Sequence, residues 1–534
     1  MTRWSRYWFA DGGRLATGVL RIAIALAVGI SLWHLGQKVS TAEIVETRAL
    51  YRPVGIWMVL GHAVPPEWLV DALWVVAWTA TAAMLVGAAS RAATAVSFVA
   101  AVALVSLSFA QSKTWSHQYN VVFLAQLAFL GARGGDALSI DALVRRLRGR
   151  VALDLPRAYQ WSLRLVQLAV ALMFAGAVFH KLLHGHFTLR WALSDNLRHQ
   201  LLVRFDRADL PRPPLVDWII DDVWRYRATA VLNLVSQSLP LAACFLVRRP
   251  VLRALCGAFF VVETVALDQV VGLWNPHWLP LFAVFVDWDA LVARVTRRPA
   301  TVPAAPPGWR PRRAIRWFVI AFVVYDAFTA FVPAVDQKLN TYPFSGFPMF
   351  ATIRVRAPYD EHLPYSLPGD HFEVLADRPI DARMQRWFDH SHRGIEDARD
   401  PDQLHARLEA MLDEARARYP GPGIHGLRLY FTIYEAPAYP APAHFEAYPI
   451  AIVGELDGTV FRTALGKLDG DRVVPAPRGV DLGGARFEYF RDDEPAPIAL
   501  AGDRVGPGDP IYAVVVARDG TPWLVASRAA WHWQ

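Results

Sequence analysis

Apolar residues gather into long runs over the first 335 positions and thin into short alternating patches beyond them. A helix that crosses a bilayer needs roughly 20 mostly apolar residues. Nine runs meet or approach that length: Leu15–Gly36, Leu69–Ala89, Ala92–Ala110, Tyr119–Ala132, Ser162–Leu183, Ala228–Val247, Val251–Trp274, His277–Val295 and Ile315–Val335. The fourth is the shortest, and the eighth carries Asp287 and Asp289. Tryptophan and tyrosine cluster near the ends of the runs, as interfacial belts require. The pattern predicts an all-α polytopic membrane helix bundle of about nine spans. No small-residue cleavage site follows the first eighteen residues, so the first run reads as a retained helix.

After Asp336 the period changes. "PDQLHARLEAMLDEARARYPGPG" reads as a helix stopped by Pro420 and Gly421. "HGLRLYFTIYEA", "YPIAIVGELDGTVFRTALG", "ARFEYFR" and "PIYAVVVARDGTPWLVAS" read as strands, two of them broken by Asp-Gly turns. The expected layout is a bundle over 1–300, an inner proline- and arginine-rich linker with the last span over 301–335, and an α+β or β-sandwich-like soluble domain over 336–534. Between the fifth and sixth runs, "PPLVDWIIDDVW" places Leu215, Trp218, Ile219 and Trp224 near one helical face, the pattern of an amphipathic interfacial helix.

Charge then assigns sides. The chain carries a formal net charge of +7, with most of the basic excess as arginine in short loops beside the runs. Loops after even-numbered runs hold Arg91, then Arg145, Arg146, Arg148 and Arg150, then Arg248 and Arg249, then Arg297, Arg298, Arg310, Arg312 and Arg313. The loop after the third run offers only Lys113, and that after the seventh no basic residue. By the positive-inside rule this predicts a multi-pass protein of the cell membrane, its N-terminus cytoplasmic and its C-terminal domain extracytoplasmic. The loop from Leu183 to Arg227 is basic yet falls outside, but it also carries six aspartates and is long. No basic-aromatic repeat supports nucleic-acid binding, and the bilayer itself is the first expected partner.

Composition adds that 54% of residues are hydrophobic and that only two are cysteines, Cys244 and Cys256, both in apolar runs. A disulfide framework and a Cys/His zinc spacing are therefore absent from the sequence.

The candidate chemistry concentrates in "AGAVFHKLLHGH", at the end of the fifth run. His180 and His184 are four apart and share a helical face with Lys181 beside them. His117 begins the fourth run and His277 the eighth, both from the predicted outer side, so His117, His180, Lys181, His184, His186 and His277 fall at one depth. Ionisable groups in that position mark functional sites, and a partly desolvated lysine can serve as a base; lysine and histidine at helix ends also reach simply for headgroups. Paired histidines suit metals, but HExxH and the Glu-x-x-His di-iron pattern are both missing, so no bound metal is expected. His390 and His392, in "DHSHR", read as a surface loop. Glu263 and Asp268 lie within the seventh run, where facing lipid would be costly.

"HQYNVVFLAQLAFLGARGGDALSIDALVRR" and "RLVQLAVALMFAGAVFHKLLHGHFTLRWALSDNLRHQLL" resemble the horizontally transferred transmembrane (HTTM) family, which includes vitamin K-dependent gamma-carboxylase, over about Leu15 to Val295. The resemblance implies a membrane enzyme with an outward-facing active site, a reduced quinone or other lipid-soluble substrate, Lys181 as base and His117 in support. His180 and His277 are secondary candidates. The seventh run carries Glu263 and Asp268 where the carboxylase has a histidine, and the C-terminal residues lack an obvious counterpart of its propeptide-binding region. The alternative is a non-catalytic scaffold or lipid-binding module presenting its C-terminal domain to an extracytoplasmic peptide or protein.

Overall fold

A computed structural model describes residues 2–36, 53–60, 64–110, 117–150, 156–206, 211–297, 311–335, 371–376, 401–418, 423–435 and 444–456, with short strand segments at 459–460, 467–469, 472–474, 486–491, 511–516 and 522–524. Lys113, most of the linker between Arg297 and Arg312, and His390 and His392 lie outside the described residues, and of His117 only the backbone lies within them. The chain divides into two units, each treated by itself. One comprises 1–194, 213–219 and 224–353; the other comprises 195–212, 220–223 and 354–534.

The first unit is helical. Its main helices are α1 (Arg14–Gly36), α2 (Glu67–Val86), α3 (Ser90–Ala110), α4 (Asn120–Phe129), α5 (Ile140–Leu147), α6 (Gln160–His184), α7 (Val223–Phe245), α8 (Pro250–Val271), α9 (Trp288–Thr296) and α10 (Arg313–Val335). Seven of these, α1, α2, α3, α6, α7, α8 and α10, are long and apolar enough to cross a membrane. Many large apolar side chains on them face outward, among them Trp68, Val75, Leu255, Trp317 and Val324. Apolar faces of that extent want lipid rather than water, and the chain is built as a membrane protein.

The two remaining runs are not membrane-length helices. The fourth gives α4, ten residues long. The eighth gives a 3-10 turn over Leu279–Phe285 and then α9, because Asp287 leaves the helical path and caps the new helix, its Oδ1 accepting from the Ala290 amide at 3.1 Å. Both short segments are wrapped by protein. Nine of the ten α4 residues are buried, as are Leu281, Val284 and Phe285. A segment so enclosed need not match the hydrocarbon thickness that sets the length of a lipid-facing helix.

Contacts gather the helix ends into two groups. Arg21, in the second turn of α1, donates to the carbonyls of Leu85, Gly134, Ala137 and Leu138. Asp141 accepts from the amides of Ala89 and Ser90 and from the Ser90 hydroxyl, capping α3. Tyr159, just before α6, donates to Asp136 at 2.9 Å. Arg253, near the start of α8, donates to the Phe285 carbonyl at 3.1 Å and lies 3.7 Å from Asp287. The end of α7 is tied in by Tyr7 Oη donating to the Cys244 carbonyl. In the other group, His34 at the end of α1 meets the His277 ring edge-on at 5.9 Å, while His277 and Trp278 both bond the Gln118 carbonyl. α6 and α10 run side by side, with Trp161 against Phe318 at one end and Phe179 against Phe331 at the other. Gly176 makes that approach possible, since a Cβ there would sit 2.8 Å from the Ala330 carbonyl oxygen.

The amphipathic segment differs from its expectation. A helix forms over Pro214–Ile220, but Val216 and Ile219 are buried while Leu215 and Trp218 are exposed. Trp224 belongs to α7 instead. Ile219 therefore does not share the outward face of Leu215 and Trp218.

In the second unit, β1 (His371–Ala376), β2 (Gly426–Glu435), β3 (His444–Leu456) and β4 (Thr459–Val460) form one antiparallel sheet in sequential order. Leu456 opposes Thr459, the two flanking the Asp-Gly pair at 457–458. Helix α11 (Pro401–Arg418) buries Leu408, Met411, Leu412 and Ala415, spaced along one face, with Ile424, Leu427 and Val453 also buried. Gly454 takes a positive φ of 76°, and a Cβ there would meet the His425 carbonyl oxygen at 2.2 Å. Separate ladders join β5 (Lys467–Asp469) to β6 (Arg472–Val474), and β7 (Arg486–Arg491) to β8 (Ile511–Val516) and β9 (Pro522–Leu524).

Candidate functional site

Lys181 sits in the last turn of α6, yet it is buried rather than reaching for headgroups. Its Nζ donates to Asn233 Oδ1 and to Gln237 Oε1, each at 2.8 Å, and lies 4.6 Å from the centroid of the Trp191 ring. Asn233 and Gln237 are four apart on α7, so one helical face presents both amides.

The amides continue to α8. Asn233 Nδ2 and Gln237 Nε2 donate to Glu263 Oε2 at 2.9 and 3.2 Å, and the Ser236 hydroxyl donates to Glu263 Oε1. Each amide thus turns its oxygen to the ammonium and its nitrogen to the carboxylate. No ion pair joins Lys181 and Glu263 directly among the described residues. Pro240, one turn further along α7, has no amide hydrogen to give the Ser236 carbonyl, which weakens the helix ladder beside this polar stripe.

Chemically, the arrangement holds one positive and one negative charge away from water with three polar side chains, Asn233, Ser236 and Gln237. An ammonium has three hydrogens. Two are fixed by Asn233 and Gln237, and the third is left for the aromatic face of Trp191. If that third proton leaves, both hydrogen bonds persist.

The other expected residues are dispersed. His180 is buried beside Lys181 on α6. His184 is half-buried and His186 exposed. His277 is buried in its own group, its Nε2 2.9 Å from the Gln118 carbonyl, its ring stacked on Tyr119 at 5.2 Å and edge-on to His34 and Trp278. The backbone of His117 begins the 3-10 turn that carries Gln118 and Tyr119, so His117 and His277 do belong to one end of the bundle. Asp268 is only half-buried and accepts from Gln269 Nε2 at 2.7 Å, a helix-end position apart from the Lys181 network.

Sequence reasoning missed Trp191, Asn233, Ser236 and Gln237. Three of them were detectable: Asn233, Ser236 and Gln237 recur at i, i+3 and i+4 within an apolar run, which is a polar stripe facing inward. Among the described residues no group of three or more histidine, cysteine, aspartate or glutamate side chains is arranged to hold a metal ion. No protein-family profile, curated protein or solved structure matches this chain.

Proposed function

We propose that this is a membrane enzyme acting on a lipid-soluble substrate, a hydroquinone being the first candidate, with Lys181 as the base. The observation that carries this reading is the holding of Lys181 by two neutral amide oxygens, with its counter-charge Glu263 one residue further away. A lysine held this way can give up its third proton without breaking a direct ion pair. As a neutral amine it would take a hydroxyl proton from the hydroquinone, leaving an ammonium and a hydroquinone anion for dioxygen to oxidise. The likeness of 117–146 and 164–202 to HTTM sequences points the same way, with His117 in the supporting role and His180 and His277 in secondary ones.

The test is turnover of a reduced quinone in membranes containing the wild type, Lys181→Arg and Lys181→Met. Arginine keeps the charge but does not deprotonate. Both variants should lose about 10²–10⁴-fold of the rate, the range that general-base catalysis supplies. Full activity in Lys181→Arg, or no quinol consumption by the wild type, refutes the reading.

The same network supports a second, non-catalytic reading, because its bonds also clamp α6, α7 and α8 together. On that reading the bundle is a scaffold or lipid-binding module that presents the C-terminal unit to an extracytoplasmic partner. Loss of thermal stability in Lys181→Met with no quinol chemistry in any sample favours it.

A further inference from the structure

Opposite in kind to the Lys181 network is a cavity of about 560 Å³ among the helix ends that Arg21 ties together. It is lined by Arg14 from α1 and by Asp136, Arg145, Arg146 and Arg150 from the segment around α5. One carboxylate therefore faces four guanidinium groups, and that carboxylate is already engaged. Asp136 accepts from Arg133 at 2.5 Å, Arg145 at 2.8 Å and Tyr159 at 2.9 Å. Among the described residues, Arg14, Arg146 and Arg150 form no ion pair. Arg145 spends its two terminal nitrogens on Asp136 and the Gly135 carbonyl, while its buried Nε has no partner among the described residues. Guanidinium groups crowded around one space repel one another until an anion joins them, and a phosphate matches their forked geometry.

A second observation says where that phosphate comes from. Ile140, Leu143 and Leu147 lie along one face of α5 and are 44%, 55% and 77% exposed, with Leu138 at 53% just before them. A short helix with a bare apolar stripe and arginines beside it lies in a membrane interface, its apolar side among acyl chains and its basic side at headgroup depth. We infer that the cavity lined by Arg14, Arg145, Arg146 and Arg150 binds a phosphate group, that of an anionic phospholipid headgroup entering beside α5. This site is independent of Lys181 and of any quinone chemistry.

The test uses the full-length protein in nanodiscs of phosphatidylcholine, with and without phosphatidylglycerol. Arms with inorganic phosphate added to the phosphatidylcholine discs separate a lipid phosphate from a soluble one. Thermal unfolding and native mass spectrometry after detergent release supply the readouts. Phosphatidylglycerol should raise the unfolding temperature and stay bound through release, and the double variant Arg146→Ala/Arg150→Ala should retain about tenfold less of it. Arg14→Ala, on a different helix, should weaken retention in the same direction and serves if the double variant unfolds. A shift produced by inorganic phosphate and abolished in the same variants supports the site with a soluble ligand. If neither anion shifts the wild type, or if the variants keep the effect, the inference is overturned.

Discussion

Lys181 and Glu263 show at the residue scale what burying a separated charge pair demands. Asn233 and Gln237 bond both charges, with Ser236 adding a bond to Glu263 alone, so the two depend on shared intermediaries. Removing one member of a buried pair typically costs about 3–5 kcal/mol, because the survivor is left uncompensated, whereas removing both can cost far less. Lys181→Met and Glu263→Gln should therefore each destabilise the protein by about 3–5 kcal/mol. The double variant should be more stable than the sum of the two losses by at least about 1 kcal/mol, as expected for side chains in one network. Denaturant titration in detergent micelles measures all four corners of the cycle. Additive losses would show that the two charges do not sense each other.

At the element scale, Asp136 joins segments that the sequence keeps apart: Arg133 after α4, Arg145 on α5 and Tyr159 before α6. Burial alone would push its carboxyl up, but the hydrogen bond and charge of Arg133, with bonds from Tyr159 and Arg145, hold it below the ordinary 3.8. Asp141 is held low against the same desolvation, by the Ser90 amide and hydroxyl and the Ala89 amide. A carboxyl lowered on folding contributes stability that is complete above its unfolded value and disappears as the pH falls through its folded value. The unfolding temperature should hold steady near neutrality and drop as the pH falls below about 4. Asp136→Asn should be less stable at pH 7 and should show a shallower acid drop, and an unchanged slope would contradict the role given to Asp136. This junction was only half legible in the sequence. The cluster Arg145, Arg146, Arg148 and Arg150 stood out as a charge signal, yet nothing in its spacing showed that Asp136 pairs with Arg145 or that a cavity lies among the arginines. The polar stripe of α7 was legible and went unread, since single polar residues in an apolar run look like noise until their spacing is counted.

For the whole molecule, hydropathy and contacts weigh differently on the number of passes. Hydropathy made seven helices plain, because lipid-facing helices must be long and mostly apolar. It could not show that the other two runs become α4 and a 3-10 turn, since enclosed segments are released from that length rule and the break at Asp287 depends on a cap. Counting the seven long helices alone puts 111–159 outside and the end of α6 inside. The nine-pass count rests instead on contacts of the first unit. Arg21 reaches the carbonyls of Gly134, Ala137 and Leu138 near the start of α1, while Gln118 meets His277 beside His34 at its far end. Both counts are odd, so with the expected cytoplasmic N-terminus both would put the C-terminal unit outside, and position 425 checks only that shared parity. Positions 147 and 186 separate them. In a Cys244→Ser/Cys256→Ser background, a membrane-impermeant maleimide applied to intact cells should label His186→Cys and His425→Cys and spare Leu147→Cys until lysis. Labelling of Leu147→Cys with protection of His186→Cys would restore seven passes and turn the Lys181 end of α6 to the cytoplasm. Protection of His425→Cys would defeat both counts, and with them the outward-facing site on which a lumenal-type chemistry depends.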